Sequence, residues 1–196
     1  MKKILFAVII ITLAVGGYYY LKIDDAKTGE SPENQKTVYS KNDVGLQFEY
    51  RTGPAGYVVE ERMPVDLGTG LARVILLMRT EDSAKTPPMG GEGPPVIAIS
   101  IFENTKKQFA RTWADENAQY SNINLAQGDI SEAVVGGANA IRYMADGLYA
   151  SENIVVAHGD SVYVITGQFI DADSSLRRDF APLVSSITFI KKPGQE

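Results

Sequence analysis

The sequence predicts an α+β fold: an αβα sandwich with a central antiparallel sheet and two main helices, preceded by an N-terminal transmembrane helix. Three observations lead there. Most of the chain reads as short apolar stretches of strand length, separated by Gly-, Pro- or Asp-containing turns. Only two stretches change to a helical period. The first twenty-one residues are a basic Met1-Lys2-Lys3 followed by an uncharged run from Ile4 to Leu21. A doubly wound parallel sheet would need a helix after nearly every strand, and this pattern lacks them.

The N-terminal run has eighteen residues, and at about 1.5 Å rise each it just reaches across a hydrocarbon core. Tyr18, Tyr19 and Tyr20 would sit at the far interface, with Lys22 snorkelling to the headgroups. Lys2 and Lys3 would stay cytoplasmic, leaving the body outside as a single-pass protein. The alternative is a cleaved signal peptide, with Ile4–Val15 as its core and Ala14, Gly16 and Gly17 near the scissile bond, releasing a secreted or periplasmic domain. Residues 24–43 are polar and read as a flexible tether, because they bury too little to offset their ordering entropy. The folded domain is expected over 44–192, and 193–196 as a disordered tail.

Within the domain, Leu46, Phe48 and Tyr50 alternate with polar residues and define a half-buried strand. Gly53-Pro54-Ala55-Gly56 turns the chain into a second strand at Tyr57. Ala72–Met78 and the stretch around Ile97, Ile99 and Ile101 are two more. The segment 79–95 between them holds four prolines and three glycines and predicts a mobile loop without regular structure. Phe109, Ala110, Trp113, Ala114 and Ala118 form the apolar stripe of a helix over 105–118, capped by Asn104 or Thr105. Four strands follow: Ile130–Val135, Ala140–Ala145, Ile154–Ala157 and Val162–Phe169. Gly136-Gly137 and His158-Gly159-Asp160 supply hairpin turns. The second helix, over 174–186, buries Leu176, Phe180, Leu183, Val184 and Ile187 and is capped by Asp173 or Ser174. Pro182 should kink or break it.

Composition narrows the function. Residues 1–23 carry three lysines and no acid, so of the chain's formal charge of −5 the remainder carries −8. So acidic a body is unsuited to nucleic acid or to lying flat on anionic lipid. The basic pairs Arg177-Arg178 and Lys191-Lys192 read as solvated surface. Without cysteine there is no disulfide framework, thiol catalysis or lipid-modified cysteine.

No motif assembles a chemistry. His158, the sole histidine, reads as a solvated turn residue. Gly159-Asp160-Ser161-Val162-Tyr163 lacks the final glycine of a nucleophile elbow. Asp171-Ala172-Asp173 begins like a calcium loop, but Leu176 and Pro182 stand where Gly and Glu are needed. Scattered acids such as Asp146, Glu152, Asp171 and Asp173 leave only a weak cation site open. The Gly68-Thr69-Gly70 and Gly90–Gly93 segments lack the Lys-Ser/Thr pair of a phosphate loop. Glu60-Glu61 and Asp115-Glu116 are sequence neighbours whose side chains diverge. Trp113 belongs to a packed stripe. No catalytic, cofactor-binding or metal-ligating residue is assigned.

Gly45-Leu46-x-Phe48-x-Tyr50, Gly136-Gly137-x-x-Ala140-x-x-Tyr143 and Gly159-Asp160-x-Val162-Tyr163-x-Ile165-Thr166 stand in order along the chain. A last helix with Phe180, Leu183 and Ile187 leads to Phe189. Over residues 44–190 this pattern resembles the PsbP-like family. The resemblance implies an αβα sandwich and a non-catalytic role. Its members include an extrinsic photosystem subunit, a nuclear-import factor that binds a small GTPase, and many bacterial exported proteins. No ligand or partner motif of the family is matched, and the Pro/Gly segment 86–95 lies outside the pattern.

The function expected is that of a membrane-tethered extracytoplasmic module for protein interaction or assembly, with an envelope protein as partner and no enzymatic activity. The alternatives are a small-ligand or cation-binding protein and a carboxylate-dependent enzyme. The 79–95 loop is the first candidate for an interaction surface, through Pro87, Pro88, Met89 and Glu92.

Overall fold

The computed structural model describes residues 35–63, 70–83, 85 and 93–194. The expected anchor and its interfacial Tyr18, Tyr19, Tyr20 and Lys22 lie outside the described residues. Among the described residues no helix is long and apolar enough to cross a membrane.

The chain forms β1 (Lys36–Lys41), β2 (Leu46–Arg51), β3 (Tyr57–Arg62), β4 (Leu71–Arg79), a helical turn α1 (Thr80–Ser83), β5 (Ile97–Glu103), α2 (Ala110–Glu116) and α3 (Ala118–Ser121). After a 3-10 turn come β6 (Ala126–Val135), β7 (Ala138–Asp146), β8 (Ala150–His158), β9 (Ser161–Phe169), α4 (Ser175–Ser185) and β10 (Thr188–Phe189). The main sheet has seven antiparallel strands in the order β3-β4-β5-β9-β8-β7-β6. A second, three-stranded sheet runs β1-β2-β10.

Alternation along the central strands divides two cores. Ile97, Ile99 and Ile101 of β5, Ile154 and Val156 of β8, and Tyr163 and Ile165 of β9 face α4 and the small sheet. Val155, Val162 and Val164 face α2 with Trp113. Two faces must be covered because β8 and β9 are apolar on both. Trp113 is 4% exposed and tilts against Phe102 with ring centroids 4.9 Å apart. The fold is thus α+β with a central antiparallel sheet. The second sheet, which shares one face with α4, was not readable from the periodicity.

Several expectations change. Residues 36–41, assigned to the tether, form β1. Six residues pair with β2, and buried Tyr39 stacks on Phe48 at 4.8 Å, which supplies the burial that the polar composition concealed. The 79–95 segment is not wholly irregular, since β4 runs to Arg79 and Thr80–Ser83 make one helical turn. The first main helix starts at Ala110, not near 105. Asn104 instead closes a turn, accepting from Gln108 N at 2.9 Å and donating to its carbonyl at 3.0 Å. Ser174 caps α4, as expected, by accepting from Arg177 N. The helix continues through Pro182 without a break, because the packing of Leu176, Phe180 and Leu183 holds it on both sides of the missing donor.

Two glycines set how closely the layers approach. A Cβ on Gly167 in β9 would stand 2.4 Å from Phe180 Cδ2, so glycine is required there for space. In the β6–β7 turn, Gly136 and Gly137 both have positive φ, 55° and 80°, as a two-residue hairpin of this hand demands. The Phe189 ring lies against Gly136 and stacks on His158 at 4.4 Å.

Burial also governs the tyrosines. It pushes the Tyr143 and Tyr163 hydroxyls up to about 12 and raises Tyr39 and Tyr57 further. Tyr163 donates to Val44 O at 2.8 Å, and Tyr143 to Ser121 O. A raised folded-state pKa favours the neutral phenol. Its stabilisation is whole below the unfolded value of about 10 and is lost as pH rises through the folded values. The urea midpoint should therefore hold steady between about pH 8 and 9 and fall steeply between about 10 and 12. A midpoint flat to pH 12 would contradict this burial.

Candidate functional site

Two concave surfaces stand out, sharing no lining residue. The first is a cleft of about 310 Å³ between β2, the start of β3, and α4. Tyr50, Pro182 and Leu183 line it, with Arg51, Tyr57 and Asp179 among its polar groups and Lys36 and Glu49 completing its wall. Tyr50 and Arg51 end β2, Tyr57 opens β3, and Asp179 stands beside the core residue Phe180 on α4. Arg51 Nη2 and the Tyr57 hydroxyl both donate to Asp179 Oδ2, the latter at 2.7 Å. Burial and the hydrogen bond to Asp179 raise the Tyr57 pKa. The same carboxylate, through its hydrogen bond, raises that of Arg51. Arg79 lies over the Tyr57 ring, 5.8 Å from its centre. Lys36 and Glu49 pair at 3.6 Å.

The second surface is a wider groove of about 560 Å³. Phe109 and Ala110 form one wall, at the start of α2. Ala133, Val134, Ala138, Ala140 and Ile141 of the β6–β7 hairpin form the other. Phe109 is 79% exposed and Val134 69%. Phe109, assigned to the buried stripe with Ala110, Trp113 and Ala114, therefore points to solvent. Its extended backbone, φ −70° and ψ 156°, places it before the helix, where the 3.6-residue period does not apply. Arg111, Glu132 and Asn139 give the groove its polar rim.

The residues singled out by sequence are dispersed. Pro87, Pro88, Met89 and Glu92 lie outside the described residues. His158 ends β8, exposed and stacked on Phe189. Glu152 pairs with Arg142 at 2.5 Å, in a geometry too poorly aligned for a hydrogen bond to Oε1. Asp171 accepts from Asp173 N. Among the described residues no group of three His, Cys, Asp or Glu side chains is placed to hold a metal ion. Lys192 is not solvated surface: half-buried, it donates to Ser161 Oγ at 2.6 Å. Burial lowers its pKa against the attraction of Asp160, Asp43 and Glu103.

No family model matches the chain, and no curated relative matches its sequence. Among solved structures, the solution structure of cyanobacterial PsbP (CyanoP) from Synechocystis sp. PCC 6803 is similar, with a TM-score of 0.53 at 10% identity. The match covers 82% of this chain and 95% of that one. The chain has a PsbP-like fold. A crystal structure from Bacteroides thetaiotaomicron gives a TM-score of 0.46 at 12% identity, covering 84% of this chain and 51% of that one. At such identities the PsbP-like likeness concerns the fold alone.

Sequence reasoning passed over Arg51, Tyr57 and Asp179. Arg51 and Asp179 are 128 residues apart, and no local pattern links them. Removing the carboxylate with Asp179→Ala leaves a half-buried guanidinium and a phenol without their acceptor. The expected cost is about 1–3 kcal/mol, measured by chemical denaturation followed through Trp113. A cost near zero would mark the cluster as ordinary surface ion pairing.

Proposed function

We propose that the protein is a non-catalytic, membrane-tethered extracytoplasmic module that binds an envelope protein partner. The observation that carries this reading is the groove around Phe109 and Val134. Two large apolar side chains stand exposed there along one groove, whereas Met63, Leu148 and Ile170, which are comparably exposed, line neither this groove nor the cleft. Exposed apolar surface with a polar rim is the usual composition of a protein-binding patch. The partner's matching surface would be an apolar side chain in a basic setting, complementary to a body of formal charge −8 beyond residue 23. The tether part of the reading rests on the basic-then-apolar run Met1–Leu21.

A photo-crosslinking residue placed at Val134 in the full chain, expressed in its own cells, tests it. One saturable adduct is expected. It should persist with a crosslinker moved to Asn139 on the rim and disappear in the Phe109→Ser variant, which removes only exposed surface. Adducts that are diffuse, or unchanged by Phe109→Ser, would overturn the reading. The same cells, washed with alkaline carbonate, should retain the protein in the membrane pellet.

A further inference from the structure

The Arg51–Asp179 cleft shares no lining residue with the groove, and its chemistry is of a different kind. Its lining combines an apolar wall with balanced charge: Tyr50, Pro182 and Leu183 beside two cations, Lys36 and Arg51, and two anions, Glu49 and Asp179. The ionic groups are not fully used by one another. Arg51 reaches Asp179 through Nη2 alone, and the rest of its guanidinium fork has no acceptor among the described residues. Tyr57 and Arg51 both act on Oδ2 of Asp179, which leaves Oδ1 with no donor among the described residues. The 3.6 Å Lys36–Glu49 contact is loose and solvated on both sides, so it opens at little cost.

We propose that this cleft binds a zwitterionic α-amino acid with an apolar side chain. The unspent N–H groups of Arg51 face a ligand carboxylate, for which a planar fork is the preferred partner. Asp179 Oδ1, with Glu49 nearby in the lining, receives the ammonium group. The side chain lies against Tyr50, Pro182 and Leu183. The balance of charges selects against simple anions and simple cations, each of which would meet one like-charged pair with no compensation. The volume of about 310 Å³ is at the lower end of small-ligand sites and suits a single residue better than a peptide.

Isothermal titration of the full-length protein, solubilised in micelles and corrected by a micelle blank, tests this with L-phenylalanine as probe. 3-Phenylpropionate lacks the ammonium and 2-phenylethylamine lacks the carboxylate. L-Phenylalanine should bind, and each analogue should bind at least about tenfold more weakly, as the loss of one charge-assisted contact implies. Pro182→Trp replaces an exposed lining residue by a ring that fills the slot, and it should abolish binding while Trp fluorescence still reports cooperative unfolding. Glu49→Lys, at an exposed position, should weaken binding about tenfold by repelling the ammonium. An analogue that binds as tightly as L-phenylalanine would overturn the proposal. So would an affinity unchanged by both variants, or no binding of L-phenylalanine up to about 10 mM, a concentration at which even a weak site of this kind fills. The crosslinking result at Val134 is independent of each of these outcomes.

Discussion

The seat of the Phe180 ring on Gly167 is the contact from which the rest of this architecture is positioned. A side chain at 167 would overlap the ring, with 2.4 Å between its Cβ and Cδ2, and α4 would have to lift from the sheet. Because the ring sits directly on the backbone of β9, α4 lies close and Asp179, one residue earlier, arrives between β2 and β3. There it gathers Arg51 and Tyr57. The cleft is therefore a consequence of close packing by the neighbouring residue of the same helix. Its polar groups come from two consecutive strands and a helix 122 to 128 residues further on, and one small residue sets how closely that helix sits.

The two sheets are joined by polar contacts as well as by the core. Arg73, whose side chain is 12% exposed, binds Glu61 and Asp43, each at 2.7 Å, and Lys41 reaches Glu61 at 3.1 Å. Burial works against the charge on Glu61, but hydrogen bonds from Lys41 and Arg73 outweigh it and hold its pKa below the ordinary value. This ties the β1–β2 hairpin to the β3–β4 hairpin. On the other edge of the small sheet, Ile190 N donates to Gly45 O at 3.1 Å and Lys192 clasps Ser161. The β1-β2-β10 sheet contributes few strands, yet it closes the face of the main sheet that α4 leaves open, as buried Leu46 and Phe48 indicate.

The strands were legible where one residue in two is apolar, as in Leu46-x-Phe48-x-Tyr50 and Ile97-x-Ile99-x-Ile101. Both main helices were legible from their stripes, and the Gly136-Gly137 turn from its dipeptide. What escaped is what depends on distant partners. β1 has a polar sequence and is ordered by its pairing with β2 and by the Tyr39–Phe48 stack. The period that correctly buried Trp113 also claimed Phe109, because a periodic stripe does not reveal where a helix begins. Lys192 reads as solvated surface in the sequence, yet the chain folds back and places it on Ser161. The candidate cleft was the least legible part, since Arg51 is the polar end of one strand and Asp179 one acid in a helix, and their meeting is a property of the tertiary fold.

A double-mutant cycle between residues 167 and 180 tests the central packing claim most directly. Gly167→Ala and Phe180→Ala would be made singly and together, with unfolding free energies taken from urea titrations of the full-length protein. Gly167→Ala should destabilise by about 1–3 kcal/mol through overpacking and Phe180→Ala by about 3–5 kcal/mol through loss of the ring. The double variant should cost about 1–3 kcal/mol less than the sum, because the added methyl occupies space the ring has left. Strict additivity, or a neutral Gly167→Ala, would show that the ring does not rest on the glycine and that α4 and its Asp179 are positioned by something else.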